Sequence, residues 1–453
     1  MRLVPLVTIA AMIALPACGA APGSDAAQAP FGAPAAWVDD SGLGASGFGR
    51  VTFMARGGNH VTALVYRGSG FDPASGPIWF VMHGASRDAD RYLRAAAPVA
   101  ERQGALLIVP HFTKDAYPRE SDYSGPWRDR RDTTYAEIEH LFDAVRGSLR
   151  GRQQGYYLFG HSAGAQFTHR LLTFLPGARA LGAVAANAGW YTLPTDEAMP
   201  YGLRGSTVGP RQLRALFAIP LVVLLGERDT TTAATDELVR GTPEAQAQGS
   251  TRIERGRFYF RTAEAKSKEM GAGFAWRLAI VPRAPHDAAR MLPSAGFLLF
   301  SPGVPACEAS EAAEANDLKI ARILVDPPKG DAGDANRDGK RDPSDDELVE
   351  LANTGKTPLC LSGWALGDVE DPERFVFPLG RALLPGRSII VFGGGLPKGS
   401  FGDAEVATAP RGLDLTNVGD VITLRDRKDS VVRQVSWGDC AGVPCATDHR
   451  AMR

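Results

Sequence analysis

Tyr156-Tyr157-Leu158-Phe159-Gly160-His161-Ser162-Ala163-Gly164 is the stretch that decides the fold of this chain. An apolar run leads straight into Gly-x-Ser-x-Gly, and Phe167, Leu171, Leu172 and Phe174 follow at helical spacing. The pattern predicts a buried strand, a sharp turn and a helix. A serine on such a turn presents its hydroxyl at the end of the strand. The flanking glycines permit a strained backbone and let helix and substrate come close. The helix N-terminus adds amide donors and the positive end of a dipole, which suit a developing oxyanion. Ser162 is therefore the candidate nucleophile.

A serine hydroxyl is a poor nucleophile without a base. His286 sits in Pro285-His286-Asp287, just past the apolar run that ends Ala279-Ile280-Val281. Asp229, in Gly226-Glu227-Arg228-Asp229, follows the run Leu221 to Leu225 and is the candidate acid. The plain alternatives are a helix N-cap for Asp229 and a surface-loop histidine for His286; Glu227 and Asp236 are reserve acids. The run Ile78 to Met82 ends in His83-Gly84-Ala85-Ser86. Its His-Gly turn is similar to the one that supplies the second backbone N–H in esterases and lipases, which implies the amides of Ala85 and Ala163 as oxyanion donors, each worth about 2.7–4 kcal/mol at a transition state. His83 is expected to order this loop, not to react.

From residue 50 to about 303, buried runs alternate with amphipathic segments. Strands are expected at Ile78 to Met82, Ala105 to Val109, Tyr156 to Phe159, Leu181 to Ala185, Leu221 to Leu225 and Trp276 to Val281. Tyr135, Ile138, Leu141, Phe142, Val145 and Leu149 form one helical stripe. This alternation predicts a mostly parallel sheet with helices on both faces, led by an antiparallel hairpin near 51–55 and 60–66. Placed on that plan, Ser162, Asp229 and His286 all lie past C-terminal strand ends, where open α/β sheets gather their sites. Gly42-Leu43-Gly44-Ala45-Ser46-Gly47 matches a dinucleotide fingerprint by letter, but no strand precedes it and a β-like run follows, so it is rejected as a cofactor site.

These residues resemble the α/β-hydrolase superfamily, and within it the esterase-like and poly(3-hydroxybutyrate)-depolymerase-like enzymes. The resemblance covers about residues 50 to 303. It implies acyl transfer to water through a Ser162–His286–Asp229 triad and an acyl-enzyme, with no cofactor for the chemistry. The absence of a Gly-Gly-Gly run after His83 departs from the bulky-alcohol lipase type. Aromatics in 111–133 and 189–210, notably Trp127, Trp190 and Tyr191, are candidates for a substrate pocket that takes a small or polymeric ester, with ordinary loop packing as the equal alternative.

After a linker at 304–316, short β-like runs separated by Gly, Pro and Asp predict a small all-β sandwich over 317–445. Leu361-Ser362-Gly363-Trp364 and Asn417-Val418-Gly419-Asp420 resemble a lamin-tail domain, which implies an immunoglobulin-like sandwich. Such domains accompany exported bacterial hydrolases, which implies contact with a cell surface or polymer, not catalysis. Within it, Asp334, Asn336, Asp338, Lys340 (by its carbonyl), Asp342 and Asp345 have calcium-loop spacing, with Gly339 at the sixth position. Asp stands at position twelve where such loops favour Glu. A solvated acidic turn is the alternative.

Arg2 and the apolar run Leu3 to Leu15 read as an export signal over residues 1–18. Its end, Leu15-Pro16-Ala17-Cys18, resembles a bacterial lipobox and implies lipidation at Cys18, with anchoring at the outer membrane or cell surface. Residues 19–45, rich in Ala, Pro, Gly and Ser, are expected to be a flexible tether to a catalytic domain at 46–303. Cys307, Cys360, Cys440 and Cys445 are expected to form disulfides, Cys440 with Cys445 preferred among three pairings. A net charge of −1 without a long Lys/Arg run argues against nucleic acid. The competing functions are a serine peptidase and a non-catalytic surface adhesin built on the same fold.

Overall fold

A computed structural model describes residues 36–55, 58–125, 134–175, 177–304, 306–310, 312–380 and 382–438. The signal segment with Cys18, the first part of the tether, Trp127, Cys440 and Cys445 lie outside the described residues. Among the described residues, no helix is long and apolar enough to cross a membrane.

The first unit is built on β1 (Ala36–Asp39), β2 (Gly47–Met54), β3 (His60–Arg67), β4 (Ile78–Met82), β5 (Leu106–His111), β6 (Tyr156–His161), β7 (Ala180–Ala186), β8 (Leu221–Gly226) and β9 (Arg277–Val281). They form one sheet in the order β1-β2-β3-β5-β4-β6-β7-β8-β9. Strands β4 to β9 run parallel, and β1, β2 and β3 join antiparallel at one side. The helices are α1 (Ala89–Gln103), α2 (Glu120–Ser124), α3 (Thr134–Leu149), α4 (Ala163–Phe174), α5 (Pro210–Ala218), α6 (Pro243–Gln248), α7 (Arg252–Glu269) and α8 (Ala288–Phe300).

Period-two alternation of the strands divides the core into two layers. Ile78, Phe80 and Met82 face one layer, where Phe142, Phe167 and Tyr259 of α3, α4 and α7 cover the sheet. Trp79 and Val81 face the other, with Leu93 of α1 and Leu292 of α8. The expected doubly covered parallel sheet is therefore the observed one.

One boundary is corrected. Residues 36–45, assigned to the tether, are folded: β1 pairs with β2, and Leu43 is buried in the core. The rejected glycine fingerprint lies here as a 3-10 turn at Ser41–Leu43 against β2, where a Cβ on Gly42 would stand 2.3 Å from the Arg50 carbonyl oxygen. Close backbone packing explains that glycine.

The second unit is a sandwich of β10 (Leu318–Leu324), β11 (Leu348–Asn353), β12 (Ala365–Gly367), β13 (Phe375–Val376), β14 (Ser388–Phe392), β15 (Glu405–Thr408), β16 (Gly419–Arg425) and β17 (Val431–Gly438). Its sheets run β10-β11-β14-β15 and β13-β12-β16-β17. Trp364, Leu366, Val349, Leu351, Val391, Ile422 and Trp437 fill the space between. Cys307 is bonded to Cys360, which ties the segment before the sandwich to its interior. That bond is compatible with the preferred Cys440–Cys445 pair.

Candidate active site

The turn between β6 and α4 has the strain its sequence implies. Ser162 has φ 58 and ψ −118, a region that non-glycine residues rarely occupy. The two glycines of the motif leave no room for a side chain. A Cβ on Gly160 would lie 1.9 Å from the Gly164 carbonyl oxygen, and one on Gly164 would lie 2.1 Å from that of Met82. The Ser162 N–H donates to the Ala186 carbonyl at 2.9 Å, which fixes the turn to the end of β7.

The turn after β4 lies beside it. A point one Cβ away from Gly84 would be 3.7 Å from Ser162 Cβ and 2.8 Å from the Tyr92 hydroxyl. His83 orders this turn as expected. The Phe112 N–H donates to its Nε2 at 3.2 Å, so Nδ1 carries the proton and faces the Gly84 carbonyl at 3.2 Å. Burial, aided by the Arg87 charge, pushes His83 down to about 3 and keeps the ring neutral. Its carbonyl accepts a 2.8 Å bond from the Tyr123 hydroxyl. Ala85 is exposed in this turn, while Ala163 opens α4 and is buried.

Asp229 and His286 are brought together from loops 57 residues apart: Nδ1 of His286 lies 2.7 Å from Oδ2 of Asp229. The carboxylate is wholly buried and the imidazole is 26% exposed. The other oxygen, Oδ1, is 3.2 Å from Arg252 Nη1, and Arg252 also reaches Asp236 at 3.3 Å. The reserve acids are thus occupied elsewhere, since Glu227 accepts from the Arg283 N–H at 2.8 Å and pairs with Arg427. No helix begins at Asp229, so a capping role does not account for it. The His286 ring packs 4.5 Å from that of His161, the neighbour of Ser162. His161 is buried, hydrogen-bonded to the Tyr92 hydroxyl at 3.0 Å, and kept neutral by burial and by the nearby His286.

Two pocket expectations need correction. Trp190 is 2% exposed and lies between Arg170 and Tyr201, with the Arg170 guanidinium 4.1 Å from its ring; Tyr191 is fully buried and stacks 4.4 Å from Tyr259. Both are packing residues, not walls of an open groove. Aromatics in a loop give no signal of which side they face. Sequence reading also missed Arg252 and Tyr92, whose helical positions look like ordinary surface or core sites.

In the sandwich, Gly339 has φ 96, as the calcium-loop reading requires at its sixth position. The oxygens of the loop are turned onto its own amides: Asp334 accepts from Asp338 and Gly339, Asn336 from Asp338, Asp338 from Lys340, and Asp342 from Ser344. Asp345 lies at the far end of the loop, and its N–H donates to Asp342 at 3.4 Å. Among the described residues, no three His, Cys, Asp or Glu side chains are gathered closely enough to hold a metal. The donor chemistry fits an oxygen-seeking cation, but gathering the set would require those side chains to turn.

Residues 311–439 match the model of the Lamin Tail Domain family. The chain is 33% identical to poly(aspartic acid) hydrolase-1 from Sphingomonas sp. KT-1, over 56% of this chain and 99% of that one, with a TM-score of 0.54. It is 30% identical to LpqC, a poly(3-hydroxybutyrate) depolymerase from Bordetella parapertussis, over 60% of this chain and 94% of that one, with a TM-score of 0.55. No curated protein sequence matches it. Since the match takes in nearly the whole of both relatives at 30% identity or more, this chain belongs to their α/β-hydrolase family and is a serine hydrolase carrying a lamin-tail domain.

Proposed function

We propose that this protein cleaves carboxylic esters, with polymers as its preferred substrates, through Ser162, His286 and Asp229. The observation that carries the reading is the 2.7 Å contact from His286 to a fully buried Asp229, next to a serine on a strained turn. A proton kept on Nδ1 leaves Nε2 as the base. It takes the Ser162 proton as Oγ attacks the carbonyl carbon. The oxyanion is met by the amides of Ala85 and Ala163. Collapse leaves the acyl group on Ser162, and the departing alcohol takes the proton from Nε2. Water then repeats the sequence and frees the acid. Arg252 pairs with the Asp229 carboxylate on the side away from the imidazolium that forms.

The polymer preference rests on the two relatives, both named for polymer substrates. One of those names is a polymer of an amino acid, which favours amide cleavage as the second reading. The export signal and lipobox-like Cys18 place the enzyme outside the cytoplasm on a lipid anchor, where a polymer too large to import would be met. In this reading the lamin-tail domain contacts the cell surface or the polymer, and Asp334, Asn336, Asp338, Asp342 and Asp345, with the Lys340 carbonyl, hold a structural calcium ion.

The test is labelling of residues 19–453 with a fluorophosphonate probe beside Ser162→Ala, followed by p-nitrophenyl esters, poly(3-hydroxybutyrate) and poly(aspartic acid). Labelling lost in the variant, with release of hydroxy acid from the polyester, supports the reading. Release from poly(aspartic acid) alone moves it to amide cleavage. A folded parent protein that never labels ends it.

A further inference from the structure

The loops that bear the candidate acid and base interlock where each leaves its strand. The Glu227 N–H donates to the Val281 carbonyl at 3.0 Å and the Arg228 N–H to that of Ala284 at 2.9 Å. A Cβ on Gly226 would stand 2.5 Å from the Ala284 carbonyl oxygen, so the two loops meet at a glycine. Moving either loop moves both Asp229 and His286.

The outer side of this pair is held by the lamin-tail domain. Arg228 makes a two-pronged ion pair with Glu373, at 2.8 and 2.9 Å. Arg283, three residues before His286 and 6% exposed, reaches the same carboxylate at 2.6 Å. The remaining donors of that guanidinium go to the Gly363 carbonyl at 3.1 Å, the Asp426 carbonyl at 2.7 Å and the Asp429 carboxylate at 3.3 Å. Glu227, two residues before Asp229, pairs with Arg427 at 3.2 Å. Arg290 of α8 donates to the Glu373 carbonyl, and Gly363 approaches Pro282 so closely that a Cβ there would lie 2.6 Å from the proline Cβ. Every one of these contacts joins the sandwich to residues 227–290.

An attached module that served only to tether or target the enzyme would have no reason to fix this spot. A guanidinium as buried as that of Arg283 must have its donors matched, and its acceptors here come from the second domain. We infer that the lamin-tail domain is a positioning element of the hydrolytic site, with Glu373 as its central residue. It holds Arg228 and Arg283 and thereby the loops that set Asp229 against His286. This inference rests on the triad reading and gives it a second-domain dependence.

The test uses the full exported chain with Glu373→Ala and, separately, Arg427→Ala, and with Glu373→Gln as the conservative variant. Hydrogen exchange is followed in the peptides covering 226–229 and 282–287, beside kcat and KM for a soluble ester. Expected for Glu373→Ala are faster exchange in both peptides and a kcat lowered about tenfold, with KM within twofold. Arg427→Ala acts in the same direction and more weakly, and Glu373→Gln recovers part of kcat. Unchanged exchange overturns the inference. So does faster exchange with an unchanged kcat in a protein that turns over ester. A parent protein with no turnover and no fluorophosphonate labelling instead removes the triad reading, and the inference falls with it.

Discussion

His286 Nδ1 lies 2.7 Å from Asp229 Oδ2, and Oδ1 of the same buried carboxylate lies 3.2 Å from Arg252 Nη1. One carboxylate thus holds the imidazole on one side and is compensated on the other. Asp229→Asn keeps the shape but turns the pair toward the wrong tautomer. In the proposed mechanism it lowers kcat by about 10³–10⁴, with the fold intact. Steady-state ester hydrolysis beside circular dichroism measures this. A loss below about tenfold would mean that another acid orients His286.

The strained serine turn makes a second expectation. Gly164→Ala drives a methyl group to 2.1 Å from the Met82 carbonyl oxygen, so β4, β6 or α4 must shift. Such overpacking costs about 1–3 kcal/mol or more, and it displaces the nucleophile as well. A lower thermal midpoint and slowed fluorophosphonate labelling are expected together. Gly147→Ala is the control. Gly147 is exposed within α3 with no atom near its Cβ position, and the change should stabilise by up to about 1 kcal/mol.

What the sequence made legible follows from where each cause lies. The Ser162 turn is local: an apolar run, two glycines and a helical stripe must produce it wherever the rest of the chain goes. Asp229 and His286 were found because each follows a recognisable buried strand, although their contact joins distant loops. Arg252 and Arg283 carried no such mark. Their burial exists only because Asp229, Asp236 and the second domain come to meet them. Ala36–Asp39 reads as tether because four residues at a sheet edge carry too few side chains to show a period. Leu318–Leu324 shows no strand pattern in sequence because Lys319 and Arg322 interrupt its apolar run.

Calcium gives a further expectation. If the spacing of Asp334, Asn336, Asp338, Asp342 and Asp345 serves an ion, calcium raises the thermal midpoint of the purified chain and a chelator lowers it. Saturation at a hundredfold excess over Kd is worth about 2.7 kcal/mol. Asp338→Ala should abolish the difference. Equal midpoints in millimolar calcium and in chelator would identify a solvated acidic turn.

Acid sensitivity follows from the histidines packed around the serine turn. His83 is pushed down to about 3, while His161 and His169 lie well below the usual value, in each case chiefly through burial. Neighbouring guanidinium groups add to it: Arg87 acts on His83, Arg252 on His161, and Arg170 on His169. The folded state keeps these rings neutral, whereas the unfolded chain takes up protons near pH 6.5. Their contribution to stability is therefore fully present above about pH 6.5 and is lost as pH falls toward the folded values. As pH falls below about 6.5, the unfolded chain binds more protons at these rings than the folded state does, and stability falls. His169 accepts the Thr192 N–H at 3.1 Å and faces the Ala165 carbonyl at 2.9 Å, so a glutamine can keep part of that bridge without titrating. His169→Gln should start less stable at pH 8 but lose stability less steeply below pH 6. Denaturant midpoints for both proteins at pH 8, 6 and 5 give the slopes directly. Parallel slopes would mean that His169 is already protonated in the folded protein or exposed to solvent within it.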